Sequence, residues 1–166
     1  IYNTKGGIKI GVLNLMGNVF MKKSDDVFEI SEKFMKQFEL KKDYDFLIID
    51  FHGEITSEKN AIGHYFDGKA SLVVGTHTHI PTNDARILKG GTGYQTDAGM
   101  CGDYNSVIGM NAENSLNRFL KKNSVKHFPA VGDATLCGVI VECDIKTGLA
   151  NKIESYIFGA QLKNTQ

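Results

Sequence analysis

Three of the chain's five histidines, His52, His77 and His79, stand where a metal ion could be held. Each follows a short apolar run. Ile48-Ile49-Asp50-Phe51 leads into His52-Gly53, and Leu72-Val73-Val74-Gly75 leads into Thr76-His77-Thr78-His79. Open α/β sheets place their ligand crevice at the carboxyl ends of strands. Two such strands side by side would bring all three imidazoles to one crevice. In extended backbone, residues two apart project to the same side, so His77 and His79 are expected to meet one metal site or two adjacent ones. Imidazole suits zinc, iron, manganese and nickel. Gly53 and Gly75 are expected to remove side-chain bulk beside the ligands. One histidine at a strand end is more often a surface or hydrogen-bonded residue than a ligand. Three in this context, two of them as His-x-His, favour the metal.

Other polar residues near these strands read less sharply. Asp50 lies two before His52, on the same side by alternation, and could orient an imidazole through a hydrogen bond. A plain strand-end carboxylate is the competing reading. Asp97 precedes the glycine-bearing loop Asp97–Met110, which could line the pocket; otherwise it is a turn-former. Glu54 and Glu58 flank an expected helix start and read as charges that suit the helix dipole. His64, on a helix face, and His127, in an expected C-terminal strand, read as structural. Ser57 and Ser106 lack the partners of a serine hydrolase. Lys89–Gly93 lacks the Gly-Lys-Ser/Thr ending of a phosphate-binding loop.

The elements that must carry these residues follow from periodicity. Ile8–Leu15 alternates and predicts a strand. Val27, Ile30, Phe34, Met35 and Phe38 recur at helical spacing after Ser24-Asp25-Asp26. Asp45–Phe51 predicts a strand buried on both faces, and Ala70–Thr76 a second buried strand. Between them, Thr56 is expected to cap a helix over Ser57–Tyr65. Small strands are expected at Arg86–Leu88 and Tyr94–Thr96. A helix is expected over Ala112–Lys122, with Leu116, Phe119 and Leu120 facing inward. The end reads as strands Val125–Val131, Thr135–Asp144 and Lys152–Phe158, with Lys146-Thr147-Gly148 turning the last hairpin. The order predicts a mixed α/β layered domain.

At 166 residues the chain is one domain in size, and 42% apolar residues supply a core. Nineteen basic residues balance nineteen acidic ones, which removes the electrostatic case for a protein that coats nucleic acid. No apolar run approaches the ~20 residues of a membrane helix. The N-terminus has no signal-peptide pattern. Cys101, Cys137 and Cys143 are odd in number and fit no zinc-ribbon spacing, so they read as reduced thiols of a cytoplasmic protein. Self-association is left open.

The run IIDFHGEITSEKNAIGHYFDGKASLVVGTHTHIPTNDARIL resembles the YmdB-like family of calcineurin-like metallophosphoesterases, as do KIGVLNLMGNVF, YQTDAGMCGDYNSVIGM and ATLCGVIVECD. The resemblance covers nearly the whole chain. It implies an α/β/β/α sandwich with two metal ions, iron or manganese first, zinc or magnesium as alternatives. It implies hydrolysis of small phosphodiesters, including 2′,3′-cyclic nucleotides. It makes His52 and His77 ligands of one metal and His79 a ligand of the other. The family's remaining ligands come from an aspartate after its first strand, a Glu-Asn pair and a Gly-Asn-His element, the last bearing a histidine proposed as proton donor. Gly17-Asn18-Val19 follows the wrong strand and lacks that histidine. Residues 1–166 are therefore expected to form the C-terminal portion of a single metallophosphoesterase domain, without its N-terminal half or its proton donor. A non-catalytic regulatory or interaction module that keeps the fold is the competing reading. An amidohydrolase, which also uses His-x-His, needs a (β/α)₈ barrel for which this chain is too short.

Overall fold

The computed structural model describes residues 1–22, 24–122 and 126–165. A short edge strand β1 (Tyr2–Asn3) pairs antiparallel with β2 (Lys9–Met16). Helix α1 (Val27–Gln37) leads to β3 (Phe46–His52), and α2 (Thr56–Tyr65) leads to β4 (Leu72–Thr76). Then come β5 (Arg86–Ile87), β6 (Gly93–Gln95), α3 (Ala112–Phe119), β7 (Thr135–Cys143) and β8 (Ala150–Gly159). The main sheet has the order β1-β2-β3-β4-β6-β5. Its centre, β2 to β4 and β6, is parallel, and β5 closes the far edge antiparallel. Strands β7 and β8 form a separate antiparallel hairpin.

Period-two alternation decides which side chains enter the core. Leu15, Leu47, Ile49, Phe51, Val73 and Tyr94 share one face of the sheet and pack on Val27 of α1, on Ile62 of α2 and on Phe66 just past that helix. On the opposite face Ile10, Phe46 and Ile48 line a cavity of about 220 Å³ together with Val141 and Cys143 of the hairpin. The hairpin is fastened there by Ala150 N–H donating to the Gly91 carbonyl (2.8 Å) and by Ser155 Oγ donating to Gln95 Oε1 (2.9 Å). The result is the expected mixed α/β layering of helices, main sheet and second sheet. No helix among the described residues is long and apolar enough to cross a membrane.

Several local expectations are corrected. β3 is not equally buried on both faces: Leu47, Ile49 and Phe51 are fully enclosed, while Phe46, Ile48 and Asp50 are only half-buried. Helix α1 is capped by Asp26, whose carboxylate accepts from the backbone N–H of Phe28 and Glu29 (3.0 and 2.9 Å). Thr56, by contrast, is the first residue of α2, and Ile55 occupies the cap position with no side-chain bond. Residues 126–131 form no strand; Pro129 makes an isolated bridge with Met110, and lacking an N–H it cannot extend a ladder. Val125, the start of that expected strand, lies outside the described residues.

Helix α3 departs most. Leu116, Phe119 and Leu120 are 55%, 79% and 51% exposed, and the buried members of the helix are Asn114 and Ser115. Polar bonds set this rotation. Asn111 Oδ1 accepts from the Asn114 N–H (2.9 Å), and the Asn114 amide donates to the Lys126 carbonyl (3.0 Å). Periodicity identified the apolar stripe of α3 but not the direction it faces.

Phe51 is fully buried at the carboxyl end of β3, with its ring directly below Gly17 and Gly53. Phe51→Ala is expected to lower the unfolding free energy by about 3–5 kcal/mol. Urea denaturation of the variant beside the parent protein measures this.

Candidate metal centre

Register brings the first two histidines together. In the parallel pair β3–β4, Phe51 lies opposite Gly75 and His52 opposite Thr76, so His52 and His77 emerge side by side from adjacent strand ends. Their rings are 4.8 Å apart and nearly perpendicular. His77 Nδ1 is 3.0 Å from His52 Nε2, His52 Nδ1 is 3.0 Å from Thr76 Oγ1, and His77 Nε2 is 2.5 Å from Glu54 Oε2. An ionised carboxylate only accepts, so His77 donates from Nε2. His77 Nδ1 then accepts from His52 Nε2–H, and His52 Nδ1 accepts from the Thr76 hydroxyl. Burial, and then the neighbouring His77, push the His52 pKa down, which favours the neutral ring that binds cations.

The donor geometry suits a cation. Two nitrogens each about 2.1 Å from one ion, at right angles, lie about 3 Å apart. His52 Nε2 and His77 Nδ1 are already at that separation. Glu54 is positioned to orient His77 in the way a carboxylate orients a metal-bound imidazole. Among the described residues, no group of three or more His, Cys, Asp or Glu side chains could hold a metal ion by itself. The pair fits as part of a site rather than as a whole one.

His79 takes a different direction. Its Nδ1 is 2.7 Å from the carbonyl of Ile108, which can only accept, so Nδ1 carries the proton and Nε2 is left with its lone pair. The expectation that His77 and His79 project together assumed extended backbone. β4 ends at Thr76, and beyond it His77 has φ +117° and His79 φ +65°. Positive φ at non-glycine residues is strained and persists only where surroundings enforce it. Ile108, the partner of His79, is likewise at φ +48°.

A buried ion pair does the enforcing. Lys59 Nζ and Asp97 Oδ2 are 2.7 Å apart, and both side chains are almost wholly out of solvent. Asp97 also accepts from the backbone N–H of Thr78 (2.9 Å), the residue between the two histidines, and from Gly99 N–H (2.9 Å). Asp97 thus forms the turn expected of it, through Gly99, and in addition ties down the histidine loop through Thr78. Asp50 makes no hydrogen bond to an imidazole and instead accepts from Asn14 Nδ2 (2.9 Å). Its negative charge still favours protonated His52, though less than burial opposes it.

The flanking acids also differ from expectation. Glu54 contacts His77 rather than serving only the helix dipole. Glu58 is buried and accepts from the backbone N–H of Asn18 (2.9 Å), fixing the loop after β2. The glycines relieve packing below the site rather than beside the ligands. A Cβ on Gly75 would lie 1.8 Å from the Thr96 carbonyl oxygen, and one on Gly53 would lie 2.7 Å from the Phe51 ring. His127 is exposed and lies in no strand. Sequence reasoning passed over Lys59, although its spacing to Ile62 and Phe66 puts it on the inward stripe of α2. It had no means of finding the Ile108 carbonyl.

Burial pushes the Asp97 carboxyl up, but hydrogen bonds from Lys59, Thr78 and Gly99 outweigh it and hold the group below the usual carboxylate range. Its stabilising contribution is therefore complete above about pH 4, the unfolded value, and is lost as pH falls through the lower folded one.

The family model described as YmdB-like protein matches residues 1–156. The chain is 44% identical over 153 residues to the 2′,3′-cyclic-nucleotide 2′-phosphodiesterase of Bacillus subtilis (strain 168), covering 92% of this chain and 57% of that relative. A crystal structure of a hypothetical protein from Thermus thermophilus superposes with a TM-score of 0.85 at 37% identity, over 94% of this chain and 60% of that one. A crystal structure of a novel phosphatase from Mycoplasma pneumoniae gives a TM-score of 0.80 at 37% identity, over 89% and 52%. The chain thus spans little more than half the length of the relatives it matches.

Asp97→Ala leaves the Lys59 ammonium buried without a partner and is expected to cost about 3–5 kcal/mol of stability. Pairing Asp97→Leu with Lys59→Met should recover the buried-charge part of that loss in the same urea titration, but not the part due to the Thr78 and Gly99 N–H groups left without their acceptor. Full stability in Asp97→Ala would contradict the anchoring role.

Proposed function

The chain belongs to the YmdB-like protein family, and from that membership we propose that it forms the histidine-bearing, C-terminal portion of a metal-dependent phosphodiesterase domain. The substrates in this reading are small phosphodiesters, with 2′,3′-cyclic nucleotides foremost because a relative at 44% identity carries that activity in its name. The observation that carries the reading is the pairing of His52 and His77 across two adjacent parallel strand ends, at ligand-like separation.

Divalent or trivalent cations, iron or manganese first, would supply polarisation of the phosphoryl group and activation of water. His52 Nε2, His77 Nδ1 and His79 Nε2 are the nitrogens that would hold them. Thr76 and Glu54 fix the two paired rings, and the Ile108 carbonyl fixes the third, so no ring must turn to bind; His52 need only carry its proton on Nδ1, donating to Thr76 Oγ1, to free Nε2. Neutral imidazoles add no negative charge to repel an anionic ester. Lys59 is engaged by Asp97 and acts on the loop rather than on substrate. A reducing, cytoplasmic setting is the compartment most consistent with three free cysteines.

In the intact protein, His77→Ala is expected to abolish manganese-supported hydrolysis of bis-p-nitrophenyl phosphate, with unchanged circular dichroism. His52→Ala should reduce the metal retained after gel filtration, read by elemental analysis. Undiminished turnover in the His77 variant would discard the phosphodiesterase reading.

A further inference from the structure

A cavity of about 300 Å³ opens between α3 and the loop that follows β6. Val107, Ile108, Met110, Arg118, Phe119 and His127 line it. It adjoins the histidine site through one residue: the Ile108 carbonyl accepts from His79 Nδ1, and Ile108 also forms part of the cavity wall. Whatever occupies the cavity therefore lies one residue from a ring assigned to the metal.

Three features describe the occupant. The walls are largely apolar, and Phe119, among the most exposed aromatic side chains of the fold, offers its ring from the cavity wall. An exposed aromatic beside an apolar cavity is a stacking platform for a flat ring. Arg118 brings a guanidinium that has no acidic partner among the described residues. The chain's other arginine, Arg86, is tied to Asp84 (2.8 Å) and Asn60 (3.0 Å) and lies over the Tyr94 ring. A free guanidinium presents five N–H donors to ring nitrogens and carbonyl oxygens. The volume falls at the small end of ligand pockets, about 300–1,000 Å³, which suits one nucleoside rather than a polymer.

We propose that this cavity is the base-binding subsite of the phosphodiester centre. The heterocycle of a mononucleotide stacks on Phe119, Arg118 donates to its ring acceptors, and the phosphate end reaches the side of His79. The proposal rests on the phosphodiesterase reading and extends it to substrate selection. It also accounts for the rotation of α3, which keeps Phe119 out of the core and presents it to the cavity.

Calorimetry on the intact protein with manganese tests it, using adenosine 3′-monophosphate and ribose 5-phosphate, which lacks a base. The nucleotide is expected to bind at least about ten-fold more tightly, the scale of one base–aromatic stack. Phe119→Ala and Arg118→Met should each collapse the ratio of the two affinities by about ten-fold, whereas Phe119→Tyr should preserve it. Equal affinity for the two ligands, or an unchanged ratio in both truncated variants, overturns the subsite. A fall in oligomer mass by light scattering with an unchanged ratio assigns this face to a second copy of the chain, and overturns it too. Absence of base discrimination in the unsubstituted protein, with hydrolysis still dependent on His77, rejects the subsite alone. Base discrimination without His77-dependent hydrolysis supports the subsite and rejects the catalytic reading.

Discussion

The Lys59–Asp97 ion pair is the contact on which the histidine site depends. It joins the inward face of α2 to the loop that follows β6, two segments 38 residues apart. Through its second bond, to Thr78 N–H, Asp97 reaches the backbone between His77 and His79. Burying two opposite charges is costly unless their remaining hydrogen-bonding capacity is satisfied. Asp97 meets that condition with two backbone donors besides the ammonium. A pair of this kind contributes modestly to net stability but strongly to geometry, because each partner penalises any arrangement that strands the other.

That geometry is strained, and the strain is local. His77, His79 and Ile108 all have positive φ without being glycine. The chain turns sharply as it leaves β4, and the turn separates the two histidines that extended backbone would have aimed together. His77 is delivered to His52 and Glu54, while His79 is delivered to the Ile108 carbonyl. The close approach of Gly75 to the Thr96 carbonyl lets β4 and the segment after β6 lie near enough for Asp97 to reach Thr78. Strand packing, ion pair and backbone strain are thus one arrangement.

The loop between Asp97 and Met110 has two attachments to the histidine segment. Its first residue holds Thr78, and Ile108 near its far end holds His79. Beyond it, α3 carries an apolar stripe that is turned to solvent, while Asn111 accepts from the Asn114 N–H and the Asn114 amide donates to the Lys126 carbonyl on the other side. The placement of the two histidines and the cavity beside them are therefore products of the same loop. Changes at Ile108 would be felt in both.

Much of this was legible in the residues. Apolar runs ending in His52 and in Thr76-His77 locate two strand tips, because such runs mark strands of a covered parallel sheet, even though in β3 only the Leu47, Ile49 and Phe51 face is fully enclosed. The layered α/β architecture followed from the order of those runs and the helical spacings between them. The contact of Glu54 with His77 was not legible, since a glutamate before a helix has an equally good local explanation. Lys59 was marked by its place on an apolar stripe, but its partner was not, because pairing depends on how β4 and β6 are juxtaposed. The direction of α3 was hidden for a similar reason. Local sequence determined most of the strands, though it misled over 126–131, and it determined which helices have an apolar side and which side chains could bind a cation, since these depend on near neighbours. Tertiary structure alone decided which imidazoles meet, what anchors them and which apolar side stays uncovered. Those outcomes rest on hydrogen bonds and charges between residues far apart in the chain, and periodicity carries no record of them.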